Sequence, residues 1–201
     1  MVLEQDGRWL HPRGRARLAA VLIAFHKPYG VLSQFTQEVE GQRTLAEFGL
    51  PPGVYPVGRL DRDSEGLLLL SDDRAEIARL LEPRRKTAKV YYVQVEGTPT
   101  EEALIRLRSG VDIRIKKRVH CTARATVESV LDPGFAERRP PVRFRKTVPD
   151  AWLRLAITEG KNRQVRRMCA AVGLPVLRLV RTAVGAYELG ELAAGQWVRL
   201  R

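Results

Sequence analysis

Cysteine is nearly absent: Cys121 and Cys169 lie far apart and form no CxxC pattern. That excludes a disulfide framework or a structural zinc cluster as the organising device, and two reduced thiols in the cytoplasm are expected. Histidine is as sparse, with His11, His26 and His120 at no metal-ligand spacing. No apolar run reaches the ~20 residues of a membrane helix. The nearest imitation of a secretion signal is Leu18 to Phe25 behind Arg13, Arg15 and Arg17. It is short, is broken by His26-Lys27-Pro28 and has no small-residue cleavage site, so it reads as a buried first strand behind a basic leader. No Gly-x-Gly-x-x-Gly follows a strand, and Gly160-Lys161 lacks the partners of a phosphate-binding loop.

Acidic charge is the other shortage, with 23 Asp+Glu against 35 Lys+Arg, a net +12 and a pI near 10.4. Such an excess suits a polyanionic partner, because each contacted phosphate releases counterions. A preference for arginine in itself, 28 arginines against 7 lysines, is the competing explanation. Hydrophobic residues are 44% of the 201, enough to bury a core.

Residues 1–20 carry Arg8, Arg13, Arg15 and Arg17 with Gly7, Pro12 and Gly14, a composition that predicts a flexible basic leader. The remainder, 21–201, is read as one domain, with no room for a separate N-terminal one. Strands are expected at Val21 to Phe25, Gly66 to Ser71, Lys89 to Glu96, 121–131, 152–158, Val176 to Val180 and Gln196 to Leu200. The apolar Gly66–Ser71 run predicts a strand buried on both faces. Helices are expected from Thr44 to Phe48, after a cap at Ser71 or Asp72 through Leu81, and from Thr100 to Gly110. Pro133 to Pro149 reads as a basic loop, either a solvated charge run or an RNA contact. Irregular alternation with arginine-rich insertions predicts an α+β or mixed-sheet fold over a doubly wound one.

Three segments could carry chemistry. Gly58-Arg-Leu-Asp61-Arg-Asp-Ser-Glu-Gly66 puts carboxylates on a loop entering the apolar strand, where a rigid scaffold can present Asp61 to a cleft. Flanking arginines favour the ionised carboxylate that a nucleophile needs, although a surface turn with paired charges has the same spacing. Gly160-Lys-Asn-Arg-Gln-Val-Arg-Arg167 opens a helix whose apolar face is Val165, Met168, Cys169 and Val172. On that helix Arg166 borders the apolar face and can reach a partly buried partner such as Asp61. Arg163 and Arg167 lie nearly opposite, placed for phosphates or for solvent. Tyr91 and Tyr92 face opposite ways on one strand, and either, or Tyr55, could stack on an unpaired base.

Together these segments resemble the pseudouridine synthase family that modifies bacterial ribosomal RNA, and within it the E type, whose substrate is large-subunit RNA. Phe25-His-Lys-Pro-Tyr-Gly-Val31 is similar to the family's opening strand and turn, and Pro175 to Gly185 to its closing segment. The resemblance implies a mixed, largely antiparallel sheet in two lobes around a basic cleft. It maps the nucleophile to Asp61, the active-site tyrosine to Tyr91 and the arginine paired with the aspartate to Arg166. RNA contacts are then expected from Arg59, Arg62, Lys89, Lys161, Arg163, Arg167 and Arg181, with large-subunit ribosomal RNA as partner. No cofactor, metal or membrane is implied, and a monomer is expected. Two other readings remain at this point: an RNA clamp without activity, and a metal-dependent hydrolase using Asp61 with Asp63 or Glu65.

Overall fold

Alternating burial along Lys89–Glu96 and complete burial along Glu65–Ser71 mark two strands at the centre of a nine-stranded sheet. The structure is a computed structural model and describes residues 20–143, 145 and 147–201. The basic leader lies outside the described residues, Ala20 excepted.

In chain order the strands and helices are β1 (Leu22–Lys27), β2 (Tyr55–Pro56), β3 (Glu65–Ser71), α1 (Arg74–Leu81), β4 (Lys89–Glu96), α2 (Glu101–Ser109), β5 (Asp112–Ile115), β6 (Arg118–Cys121), β7 (Thr126–Val130), β8 (Asp150–Ile157), α3 (Gln164–Ala171), β9 (Val176–Val184), β10 (Tyr187–Glu188) and β11 (Trp197–Arg199). The main sheet runs β11-β1-β3-β9-β4-β8-β7, with β2 paired to β3 and β10 to β9; β5 and β6 form a separate hairpin. Every pairing between these strands is antiparallel except β3 with β9. This is the α+β, mixed and largely antiparallel architecture expected.

The β3–β9 junction is short, held in register by Glu65↔Val180 and Gly66↔Arg181. Gly66 allows it. Its φ is +102°, and a Cβ there would lie 2.2 Å from Arg181 O and 2.7 Å from Arg181 N. Gly66→Ala is therefore expected to cost about 2–3 kcal/mol through overpacking and left-handed strain. Thermal denaturation checks it, and an unchanged Tm would show that the junction yields.

Two cores lie on the two faces of the sheet. One gathers Ile23, Phe25, Leu68, Leu70, Val93, Leu153 and Leu155 with Leu104 and Leu107 of α2 and Val165, Met168 and Cys169 of α3. The other gathers Ala24, Leu67, Leu69, Val180 and Val184, with Ile77, Leu80 and Phe135 against it. Parity alone sends neighbours in β3 to opposite cores.

Two expectations needed correction. Asp73, not Ser71 or Asp72, caps α1, accepting from Ala75 N at 2.8 Å. Ser71 Oγ instead donates to Val21 O, and Asp72 accepts from Val21 N, so both tie down the start of β1. The single strand expected over 121–131 is broken. Thr122 Oγ1 accepts from Val111 N and Ala123 N donates to Glu159, which turns the chain between β6 and β7. The segment Thr44 to Phe48 forms a single 3-10 turn, Leu45–Phe48, with a reciprocal Thr44–Glu47 capping box. The described residues of the basic loop at 133–149 form no helix and no strand, as expected, and Phe135 pins the loop by packing against Tyr92 and Trp152.

Candidate active site

A cleft of about 950 Å³ opens beside the β3–β9 junction. Its walls bring together Arg59, Asp61, Arg62 and Ser64 from the loop before β3, Lys89 and Tyr91 from β4, Lys161 and Arg163 from the segment before α3, and Arg181 from β9. Of the side chains expected to serve the site, Arg166 and Arg167 do not line it.

The catalytic-loop candidate is held from both sides. Leu60 N donates to Ser33 Oγ, Ser33 Oγ donates to Leu60 O, and Gly30 N donates to Arg62 O. Asp61 is thus fixed through its backbone while its carboxylate stays about a third exposed, at 34%. Arg163 spans the two aspartates, bidentate to Asp63 at 2.8 and 2.7 Å and 3.7 Å from Asp61 Oδ2. Burial works against ionisation of Asp63, yet Arg163 and Arg166 together hold its carboxyl below the usual range.

Arg166 corrects an expectation. It was to pair with Asp61, but its Nη2 donates to Asp63 O at 2.6 Å and its Nη1 to Val176 O, while Arg163 makes the ion pair. The reason is backbone geometry. Arg163 is the residue preceding α3, at φ +51°, so it never lies on the helical wheel that placed it opposite the apolar face. Its left-handed backbone turns the side chain into the cleft. Arg166 still braces the loop from beneath and is near enough to feel the charge of Asp61. Arg167 folds back on Asn162 and on Arg114 O of the hairpin.

The tyrosine ambiguity is resolved by packing. Tyr91 is 8% exposed and lines the cleft, whereas Tyr92 meets Phe135 edge-on at 5.6 Å on the other face; Tyr55 is exposed and outside the cleft. Glu65 points away from the cleft and forms a buried bidentate pair with Arg178, 2.9 Å on each arm. A metal site of Asp61, Asp63 and Glu65 therefore does not assemble, and no group of three potential ligands forms among the described residues.

Two functional features escaped the sequence reading. Ser64 Oγ is buried at the cleft without a hydrogen-bond partner among the described residues. Lys27 is fully buried, its Nζ donating to Pro28 O and Val31 O at 2.9 and 2.8 Å. A lysine at the end of an apolar strand gives no signal of such burial. Desolvation pulls its pKa down to about 7, opposed by Glu65, Asp63 and Asp61. From pH 7 to about 10.5 the unfolded chain holds a proton that the folded one has released, so this group adds stability as pH rises through that window. The advantage of wild type over Lys27→Met is expected to grow by up to about 1.4 kcal/mol per pH unit there. Chemical denaturation across the window checks it; a flat difference would mean that Lys27 stays charged.

The site and the fold now have known counterparts. A family model described as RNA pseudouridylate synthase matches residues 21–171, and the chain belongs to that family. It is 58% identical over 176 residues to the ribosomal large subunit pseudouridine synthase E of Xanthomonas axonopodis pv. citri, covering 86% of this chain and 90% of the relative. It is 51% identical to the protein of the same name from Vibrio vulnificus, covering 88% and 73%. A solved pseudouridylate synthase superposes with a TM-score of 0.73 at 28% identity, over 90% of this chain and 70% of the other. The protein is thus an enzyme, a pseudouridine synthase.

Proposed function

We propose that the protein isomerises one uridine of large-subunit ribosomal RNA to pseudouridine in the cytoplasm, as a monomer without cofactor, with Asp61 as the catalytic carboxylate. The observation that carries the reading is that Asp61 and Tyr91 line one basic cleft. The names of relatives at 58% and 51% identity support the choice of RNA. No helix among the described residues is long and apolar enough to cross a membrane.

The uridine is drawn out of its stack into the cleft, with Arg59, tethered among the described residues to Gln34 alone at 3.3 Å, moving into the vacated place. Tyr91 packs against the base. The N1–C1′ bond breaks, the base rotates, and C5 joins C1′. The C5 proton leaves to solvent and N1 gains one. Attack by Asp61 at C1′, attack at the ring, and proton removal toward a glycal all need the same anionic carboxylate beside the nucleotide. Arg163 directly, and Arg166 through the loop, keep it there. The remaining cations of the cleft rim, Arg62 and Lys161 among them, meet the RNA backbone.

The test is tritium release from transcripts labelled at uridine C5, with EDTA present. Release from large-subunit and not from small-subunit RNA is expected. Tight binding without release would favour the inactive clamp, and release abolished by EDTA would favour a metal enzyme.

A further inference from the structure

Every acid that lines the cleft is matched, whereas of its cations only Arg163 has a carboxylate partner among the described residues, and of the unpaired ones Arg181 alone is buried. The acids lining the cleft are Asp61, Glu82 and Glu159, and each has a partner: Arg163, Arg85 and His120 respectively. Arg181 has none among the described residues. It is only 5% exposed, on the strand between Gly66 of β3 and Tyr91 of β4. Its one side-chain hydrogen bond among the described residues runs from Nε to Leu67 O at 2.9 Å, and no carboxylate among them lies within ion-pair distance. That bond fixes the plane of the guanidinium and leaves both terminal nitrogens for the cleft.

Lys89 lies on the floor of the same cleft, two residues from Tyr91 and so on the same face of β4. Among the described residues its Nζ donates only to Thr87 O, at 3.0 Å, and its Cε passes 4.0 Å from the position a Gly160 Cβ would take. Burial disfavours its charged form, and Arg181 adds to that. A buried cation with a half-buried one beside it and no anion is costly in the free protein, and an incoming anion relieves the cost.

We infer that Arg181 and Lys89 form a built phosphate site, which seats a phosphodiester attached to the flipped uridine while Tyr91 holds its base. The inference rests on the proposed function and adds to it a division of labour. Rim arginines supply affinity that any RNA can satisfy. The floor pair recognises a backbone phosphate only when the nucleotide is inside, so its contact is made late and appears in the rate more than in the affinity. A fixed fork beside an ammonium suits a tetrahedral cluster of anionic oxygens better than a planar base edge.

The test pairs protein variants with a modified substrate. Large-subunit transcripts would be ligated to carry one methylphosphonate, which removes a single charge, on the 5′ or the 3′ side of the uridine that wild type isomerises. At one of the two linkages the change is expected to lower wild-type kcat/KM ~10- to 100-fold, in the range of a charged hydrogen bond. In Lys89→Met and Arg181→Gln the same change should cost less than about 3-fold, because the contact is already lost. Lys89→Arg should restore most of the penalty. Arg181 is buried and its variant can fail to fold; the half-buried Lys89 then carries the cycle alone. Equal penalties in wild type and Lys89→Met, or none at either linkage, would overturn the inference and leave the synthase reading intact. A wild type that isomerises no uridine in either RNA removes both.

Discussion

Asp61→Asn is expected to eliminate tritium release, lowering kcat by at least ~10⁴-fold, while RNA affinity stays within a few-fold of wild type. The side chain keeps its size, so the cleft keeps its shape. What is lost is the negative charge that each of the proposed routes requires. The fold should not notice. The Asp61 carboxylate is partly exposed and 3.7 Å from Arg163, a weak pair, and Arg163 keeps both bonds to Asp63. An unchanged Tm beside a dead enzyme would assign the defect to chemistry. More than about a hundredth of the wild-type rate in the variant would remove Asp61 from the reaction. Asp63→Asn is the informative companion: it loosens the clasp on Arg163, so a partial loss of kcat is expected there.

The largest stability effect is expected from the opposite face of the sheet. Glu65 and Arg178 have side chains 4% and 10% exposed, and each satisfies the other through two 2.9 Å bonds. Arg178 also lies over the Phe135 ring, 5.7 Å from its centroid, where the basic loop is pinned. Arg178→Met leaves a carboxylate buried without a partner, which costs about 3–5 kcal/mol. For a chain of this length that corresponds to a fall in Tm of roughly 10 °C. Because Glu65 begins the strand that Asp61 leads into, activity should fall before global unfolding. The double variant Glu65→Met/Arg178→Met removes both charges and should recover most of the lost stability. A single variant that melts with wild type would show that Glu65 finds water or protonates at little cost.

The main elements were legible because local chemistry and burial agree there. Lys89–Glu96 alternates, Gly66–Ser71 is apolar throughout, Thr100 caps α2, and Val165, Met168 and Cys169 fall on one helical face; all four patterns survive in the structure. The β5–β6 hairpin was missed, since β5 offers only Ile113 and Ile115 to the core and β6 is mostly exposed, too little to set a period. The residue set of the site was also mostly legible, as a charged loop before a buried strand and a basic turn before a helix. Its wiring was not.

Sequence by itself determined that this chain is a basic α+β protein with the motifs of a pseudouridine synthase, and which residues could meet in its cleft. The charge and the element pattern follow from composition and short-range spacing, and the motifs from resemblance to a known family. Tertiary structure decided which arginine meets Asp61, because a positive φ at Arg163 aims that side chain where helical periodicity did not. It decided that Tyr91 faces the cleft, since only the packing of Tyr92 on Phe135 tells the two faces of β4 apart. It decided, too, that Lys27 and Arg181 are buried. Burial depends on strands distant in sequence closing over a residue, and a charged side chain on a strand has the same local pattern whether they do or not.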